Sequence, residues 1–151
     1  NITVHSAPAI PFPESIQTCG NAYVLHADNV GASYLWSDGS SNQTLTVTSN
    51  GLYTLQVTNA QSCVTSKTAS VVLNTPLTDI LGADRSICYG TPLASPYSGT
   101  YLWSNGAVTP MITITATGNY GLQLTDINGC VANDLVFITV LSVPSVDLGM
   151  N

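Results

Sequence analysis

The sequence predicts an all-β protein made of two small sandwiches in tandem. Three observations lead there: a strand-like composition, an internal repeat, and turn residues set between alternating runs. Hydrophobic residues fill 44% of the 151 positions and charged residues only 7%, against about 25% charged in an ordinary domain. Much of the remainder is Thr, Ser, Asn and Gly, and the only Lys and Arg are Lys67 and Arg85. Such a mixture favours pleated strands and tight turns over helices.

The repeat emerges when the chain is laid on itself. Tyr34-Leu35-Trp36-Ser37-Asp38-Gly39 matches Tyr101-Leu102-Trp103-Ser104-Asn105-Gly106, offset by 67 positions (101 against 34). The same offset joins Leu45 to Ile112, Val47 to Ile114, Gly51 to Gly118, Tyr53 to Tyr120, Cys63 to Cys130 and Val71 to Ile138. Cys19 and Cys88 lie 69 apart (88 against 19), so the second copy is two residues shorter between its first Cys and its Trp. At the ends, Ile2-Thr3-Val4 with Pro8 matches Ile138-Thr139-Val140 with Pro144, and 145–149 resembles 78–82. Residues 1–10 are therefore expected to be the closing strand of a preceding repeat, 11–76 and 77–144 the two sandwiches, and 145–151 the start of a following one. With no basic start and apolar run at the N-terminus, the chain is read as a segment of a longer array.

Within each copy, period-2 alternation marks half-buried antiparallel strands. Leu45 and Val47 alternate with Thr44, Thr46 and Thr48. Tyr53, Leu55 and Val57 alternate with Thr54, Gln56 and Thr58, and Ala69, Val71 and Leu73 share one face. The second copy repeats this through Ile112 and Ile114, Tyr120, Leu122 and Leu124, then Val136, Ile138 and Val140. Asp38-Gly39 and Asn105-Gly106 supply the positive φ of a tight hairpin. Ser49-Asn50-Gly51, Thr117-Gly118 and Asn128-Gly129 break the chain further on, and Pro76 and Pro144 follow the last strands. About six or seven short strands per copy is a small sandwich.

Charge excludes several functions. The formal net charge is −6, and two basic side chains cannot neutralise a run of phosphates, so nucleic acid is not a partner. Mean hydropathy is +0.27, but no stretch reaches the roughly 18 apolar residues of a membrane span. No membrane insertion is expected.

The order Cys, Tyr-x-Trp-Ser-x-Gly, Gly-x-Tyr-x-x-x-(Val/Leu)-Thr, Cys resembles the PKD-like and immunoglobulin-like tandem repeats of large Bacteroidota cell-surface adhesins. The resemblance covers nearly the whole chain. Leu81-Gly82-Ala83-Asp84-Arg85-Ser86-Ile87-Cys88 looks like that family's lead-in strand, and Thr125-Asp126-Ile127-Asn128-Gly129-Cys130 like its last hairpin. It implies immunoglobulin/PKD-like sandwiches in an elongated array, extracellular and at the cell surface. Many of these proteins leave the cell by type IX secretion, and some serve gliding motility. Asn59-Ala60-Gln61-Ser62 departs from the pattern, since the family turn carries Gly there.

Trp36 and Trp103 are expected in the core, on the strand where sandwich folds bury a Trp, with Tyr34 and Tyr101 on the same face. Tyr53 and Tyr120, each two residues after a Gly, resemble the tyrosine-corner position and are also structural. The four cysteines, Cys19, Cys63, Cys88 and Cys130, are an even number in an extracellular-looking chain, so disulfides are expected. Two pairings stay open. One bond per unit, Cys19–Cys63 and Cys88–Cys130, closes loops of about 43 residues and contributes about 3–4 kcal/mol each. In an immunoglobulin-type order, however, those positions lie at opposite ends of a unit, about 25–30 Å apart. End-to-end stacking would instead bring Cys19 toward Cys130 and leave Cys63 and Cys88 to neighbouring repeats.

No cofactor is called for. A junction Ca²⁺ ion would use Asp79, Asp84 or Asp147, although no Asp-x-Asp-x-Asp spacing supports it. His5 and His26 are isolated, Asp38 and Asp126 alone look locally clustered with polar partners, and neither a Ser–base pairing nor a phosphate loop occurs. The expected function is a non-catalytic spacer repeat of a secreted adhesin or filament, its partners being neighbouring repeats and laterally packed copies. One alternative is a glycan-binding module of a secreted hydrolase, with Trp36 or Trp103 exposed to surface glycans. The other is a pilus-like subunit whose residues 1–10 complete a neighbour's sheet.

Overall fold

The computed structural model describes residues 3–142, and every regular element among them is a strand. The first unit comprises β1 (Ser15–Cys19), β2 (Tyr23–His26), β3 (Ser33–Trp36), β4 (Thr44–Val47), β5 (Gly51–Thr58) and β6 (Val64–Asn74). The second comprises β7 (Arg85–Cys88), β8 (Pro92–Ala94), β9 (Thr100–Trp103), β10 (Met111–Thr113), β11 (Gly118–Thr125) and β12 (Val131–Leu141). The boundary between the two compact units falls after Thr75.

Each unit has one four-stranded sheet and one two-stranded sheet. The orders are β1-β6-β5-β3 with β2-β4, and β7-β12-β11-β9 with β10-β8. Strands three, five and six thus share a sheet while strands two and four form the other, which is an immunoglobulin-like sandwich on a reduced strand set. The inward residues follow the alternation read from the sequence. Leu45, Val47, Leu55, Val57, Ala69 and Val71 fill the first core with Leu25 and Trp36. Ile112, Ile114, Leu122, Leu124, Val136 and Ile138 fill the second with Leu93 and Trp103.

The alternating strands pair antiparallel as expected, and each lead-in strand adds a parallel pairing. β1 runs parallel to β6 from Ser15↔Ser70 to Cys19↔Asn74, and β7 runs parallel to β12. The lead-in strand takes the free edge of the last strand, and the whole unit forms the long connection a parallel pair requires. One expectation needs correction: the Asp38-Gly39 and Asn105-Gly106 turns close no two-stranded ladder. β3 pairs with β5, whereas β4 pairs with β2, so the turn carries the chain from one sheet to the other. Its glycines do have positive φ, 85° at Gly39 and 83° at Gly106. The hairpins proper are β5–β6 and β11–β12.

Residues 3–10, read as part of the closing strand of a preceding repeat, join neither sheet of the first unit. Pro8, Pro11 and Pro13 lack the donors a ladder needs, and Ile10 and Phe12 are buried in the first unit's own core. Side chains hold the segment instead. Asn29 donates Nδ2 to the Ala9 carbonyl at 2.8 Å, and Asn59 donates Nδ2 to that of Ser6 at 3.0 Å. The start of a following repeat, expected over 145–151, lies outside the described residues.

Candidate functional site

Both indoles are interior, 2% exposed at Trp36 and 1% at Trp103. Each ends a strand whose alternation turns it inward, and each finds a partner for its one polar atom. Trp36 donates Nε1 to the Asn42 carbonyl at 2.9 Å, and Trp103 donates to that of Thr109 at 2.8 Å. Such a satisfied ring adds burial without the cost of an orphan donor. Phe12 stacks on Trp36 with centroids 5.9 Å apart. Neither ring offers a face to a sugar.

Tyr53 donates its hydroxyl to the Ser49 carbonyl at 2.8 Å, and Tyr120 to that of Ala116 at 2.6 Å. Each pins the turn before the fifth strand of its unit, as a tyrosine corner does. Tyr34 and Tyr101 likewise donate to the carbonyls of Asn29 and Tyr97.

Cys19 and Cys130 are disulfide-bonded, whereas Cys63 and Cys88 carry free thiols, half-buried and exposed respectively. The one-bond-per-unit pairing is therefore absent. Cys19 ends β1 and Cys63 precedes β6, so they sit at opposite ends of the β6 strand that carries Cys19's partner, Asn74. Eleven residues of β6 span about 35 Å at 3.3 Å per residue, far beyond the roughly 7 Å a disulfide tolerates between Cα atoms.

Four of the carboxylates, Asp38, Asp84, Asp126 and Asp134, serve backbone amides. Asp126 Oδ1 accepts from the amides of Asn128 and Cys130, both at 2.8 Å. Asn59 does the same in the first unit for Gln61 at 3.1 Å and Cys63 at 2.9 Å. This Asx turn carries the hairpin through the missing glycine: Ser62 adopts φ 62° where Gly129 has 80°. Asp38 Oδ1 accepts from the Ser40 amide at 2.9 Å, and that backbone bond holds its carboxyl below the ordinary value. Asp84 Oδ1 accepts from Phe137 N at 2.7 Å. Asp79, with a φ of 53°, lies in the same lead-in, and Asp147 lies outside the described residues. Among the described residues no three His, Cys, Asp or Glu side chains gather closely enough to hold a metal ion.

Two residues that the pattern-reading passed over fix the lead-in segments. Lys67 donates Nζ to the Ile10 carbonyl at 3.3 Å and lies 5.7 Å from the centroid of the Phe12 ring. Asp134, its repeat equivalent, accepts from Leu81 N at 2.8 Å. The signal was present: both share the inward parity of their strands, with Ala69 and Val71 or with Val136 and Ile138. A charge at an inward position needs a partner.

Of the surface depressions, one of about 250 Å³ is lined by Pro11, Phe12, Pro13, Tyr23, Leu25, His26 and Asp28 on the first unit. It falls below the usual size of a ligand pocket, and Phe12 shows it little surface, being 6% exposed.

No protein-family model matches the chain, and no curated protein matches it. Solved structures that match include DIP-gamma IG1+IG2, at 12% identity and a TM-score of 0.39, covering 83% of this chain and 92% of that one. The insect immune protein hemolin matches at 14% identity and a TM-score of 0.44, covering 93% and 49%. A Bacteroides ovatus mixed-linkage glucan utilization locus protein, SGBP-B, solved with a mixed-linkage heptasaccharide, matches at 16% and 0.34, covering 91% and 48%. The chain thus spans about half the length of the latter two. The immunoglobulin-like assignment rests on the strand order described above.

Proposed function

We propose that this chain is a non-catalytic spacer from a secreted, cell-surface adhesin or filament. One observation supports it above others: both indoles and four of the carboxylates are engaged in holding strands and turns. The indoles are buried, and Asp38, Asp84, Asp126 and Asp134 each accept a backbone amide. A tandem repeat whose side chains serve its own fold suits a quasi-one-dimensional role, setting distance rather than recognising a substrate.

An oxidising, extracellular setting suits the bonded state of Cys19 and Cys130. With Cys63 and Cys88 free, the pairing proposed is Cys19–Cys130, to be read directly as a crosslinked peptide under non-reducing digestion. The resemblance to Bacteroidota surface repeats further suggests type IX export and a part in gliding.

The test is titration with soluble polysaccharides and their oligomers while indole emission is followed. The spacer reading expects no saturable change. A saturable shift, abolished by substituting residues of the Tyr23–His26 cleft, would transfer the chain to the glycan-binding alternative.

A further inference from the structure

We propose that the outer face of the second unit's four-stranded sheet docks on the same face of a second copy of this chain, as a weak two-fold dimer. The proposal rests on the spacer reading and names the surface through which such spacers pack side by side.

The case begins with β12. From Leu135 to Leu141 it runs Leu-Val-Phe-Ile-Thr-Val-Leu, apolar at every position but Thr139. A strand with one wet face alternates, whereas a near-continuous apolar run marks a strand covered on both faces. Val136 and Ile138 meet the second core. Leu135 and Phe137 point the other way and stay 64% and 41% exposed. The register sets Gly121 opposite Leu135 and Asn119 opposite Phe137, so these four residues share one outer surface. The first unit is built differently. Thr68 and Ser70 hold the equivalent positions of β6, Thr54 stands where the second unit has Gly121, and the Thr54 and Thr68 hydroxyls bond at 2.8 Å.

Gly121 gives the face its relief. With no side chain there, a shallow depression of about 260 Å³ opens among Leu102, Ser104, Gln123 and Asn133. Leu135 stands beside it, its Cδ1 3.5 Å from where a Cβ on Gly121 would lie. A projection and a hollow side by side on one face are what a two-fold contact requires, because each copy then offers its apolar side chains to the other's hollow.

Charge and composition point to another copy as the cover. Chains with a formal charge of −6 repel where their carboxylates meet. The only charged residue on β9, β11 and β12 is Asp134, and it is turned to the Leu81 amide. The outer face is therefore neutral, and two copies approach there without repulsion. Since the first unit's equivalent face is polar at its centre, the apolar match a second copy offers is this same face. Size sets the strength. Eight residues of β11 across four strands cover roughly 500 Å², short of the roughly 800 Å² per partner of a stable complex. One pair of copies is thus held transiently, and several such units engaging along an array are held far longer.

Sedimentation velocity from about 10 μM to about 1 mM reads the contact, with a denaturing gel run without reductant to identify any covalent dimer. Two variants install the first unit's own residues: L135T/F137S, and separately G121T. A Cβ on Gly121 meets nothing closer than 3.5 Å, so the second variant fills the hollow and leaves the sheet intact. Wild type is expected to shift toward dimer with concentration, and each variant to need at least about tenfold more protein for the same dimer fraction. Circular dichroism checks that each variant is folded. Three results overturn the proposal: a wild type monomeric throughout, either variant associating as readily as wild type, or a dimer that the gel shows to be covalent. A monomeric wild type that binds soluble polysaccharide, and loses it in L135T/F137S, would make this face a glycan site and overturn the spacer reading too. One that ignores polysaccharide sinks this inference and leaves the spacer reading standing.

Discussion

Positions 67 and 134 are equivalent in the repeat, yet one carries Lys and the other Asp. Lys67 donates to a carbonyl of the first lead-in, whereas Asp134 accepts from an amide of the second. Neighbouring positions diverge in the same manner. Ser70 N donates to the Glu14 carbonyl, but at Phe137 the acceptor is the Asp84 side chain. Leu73 N finds Asn50 Oδ1, and Val140 N finds Thr117 Oγ1. The two copies thus agree on which backbone group must be satisfied and differ on what satisfies it. Geometry is the shared quantity, and the sign of the charge is free to change.

The sharpest way to break this comparison is at the indoles. Trp36→Ala and Trp103→Ala should each cost about 3–5 kcal/mol in urea unfolding. Trp36 should lose more, by about 0.5–1.5 kcal/mol, because it alone stacks on Phe12. A loss below about 1 kcal/mol at either site would mean that ring is not core.

The lead-in locks come next. Asp134→Ala leaves the part-buried Leu81 amide without its charged acceptor and should cost about 1.5–3 kcal/mol. Lys67→Ala removes a longer bond and a ring contact, and should cost about 1 kcal/mol. Equal losses in chemical denaturation would erase the distinction between the two locks.

Smaller effects are expected at the hairpin turns. Ser62→Gly should stabilise the first unit by about 1 kcal/mol by relieving a left-handed residue, and Gly129→Ser should destabilise the second by a similar amount. Thermal melts read both, and a stabilising Gly129→Ser would contradict the assigned backbone.

The smallest contrast is acid-dependent. Asp38 titrates, while Asn105 holds the same turn with an amide, accepting from Ala107 N at 3.0 Å. Because folding depresses the Asp38 pKa, its contribution is present above the unfolded carboxylate value and is lost as pH falls through the folded one. Asp38→Asn should therefore flatten part of the acid limb of the melting profile, while Asn105→Asp should add to it. Unchanged profiles in both variants would show that the Ser40 amide has no preference for the charged form.

Much of the fold was legible because alternation and burial report the same thing. Leu55, Val57, Ala69 and Val71 are apolar every second residue, and every second residue faces the core. Pairing direction was not legible, since β1 and β7 have the same local pattern whether parallel or antiparallel. Nor was the destination of the Asp38-Gly39 turn, because a positive φ reverses a chain without stating which strand it rejoins. The locks at Lys67 and Asp134 were visible only as inward charges, and their partners are backbone atoms that no sequence pattern marks. The cysteines were legible as two open pairings, and the bonded state of Cys19 and Cys130 beside free Cys63 and Cys88 matches the one that leaves the latter two to neighbouring repeats.

The scarcity of basic residues has a consequence of another kind. Lys67 lies within β6 and Arg85 opens β7, each with its cationic end tied to lead-in carbonyls. A trypsin-like protease needs an extended, accessible bond beside such a side chain, and loop tips are where it usually finds one. Here both cleavable bonds lie in paired strands, so digestion must wait for that pairing to break. Resistance to that class of enzyme then reports how long β6 and the edge strand β7 stay paired.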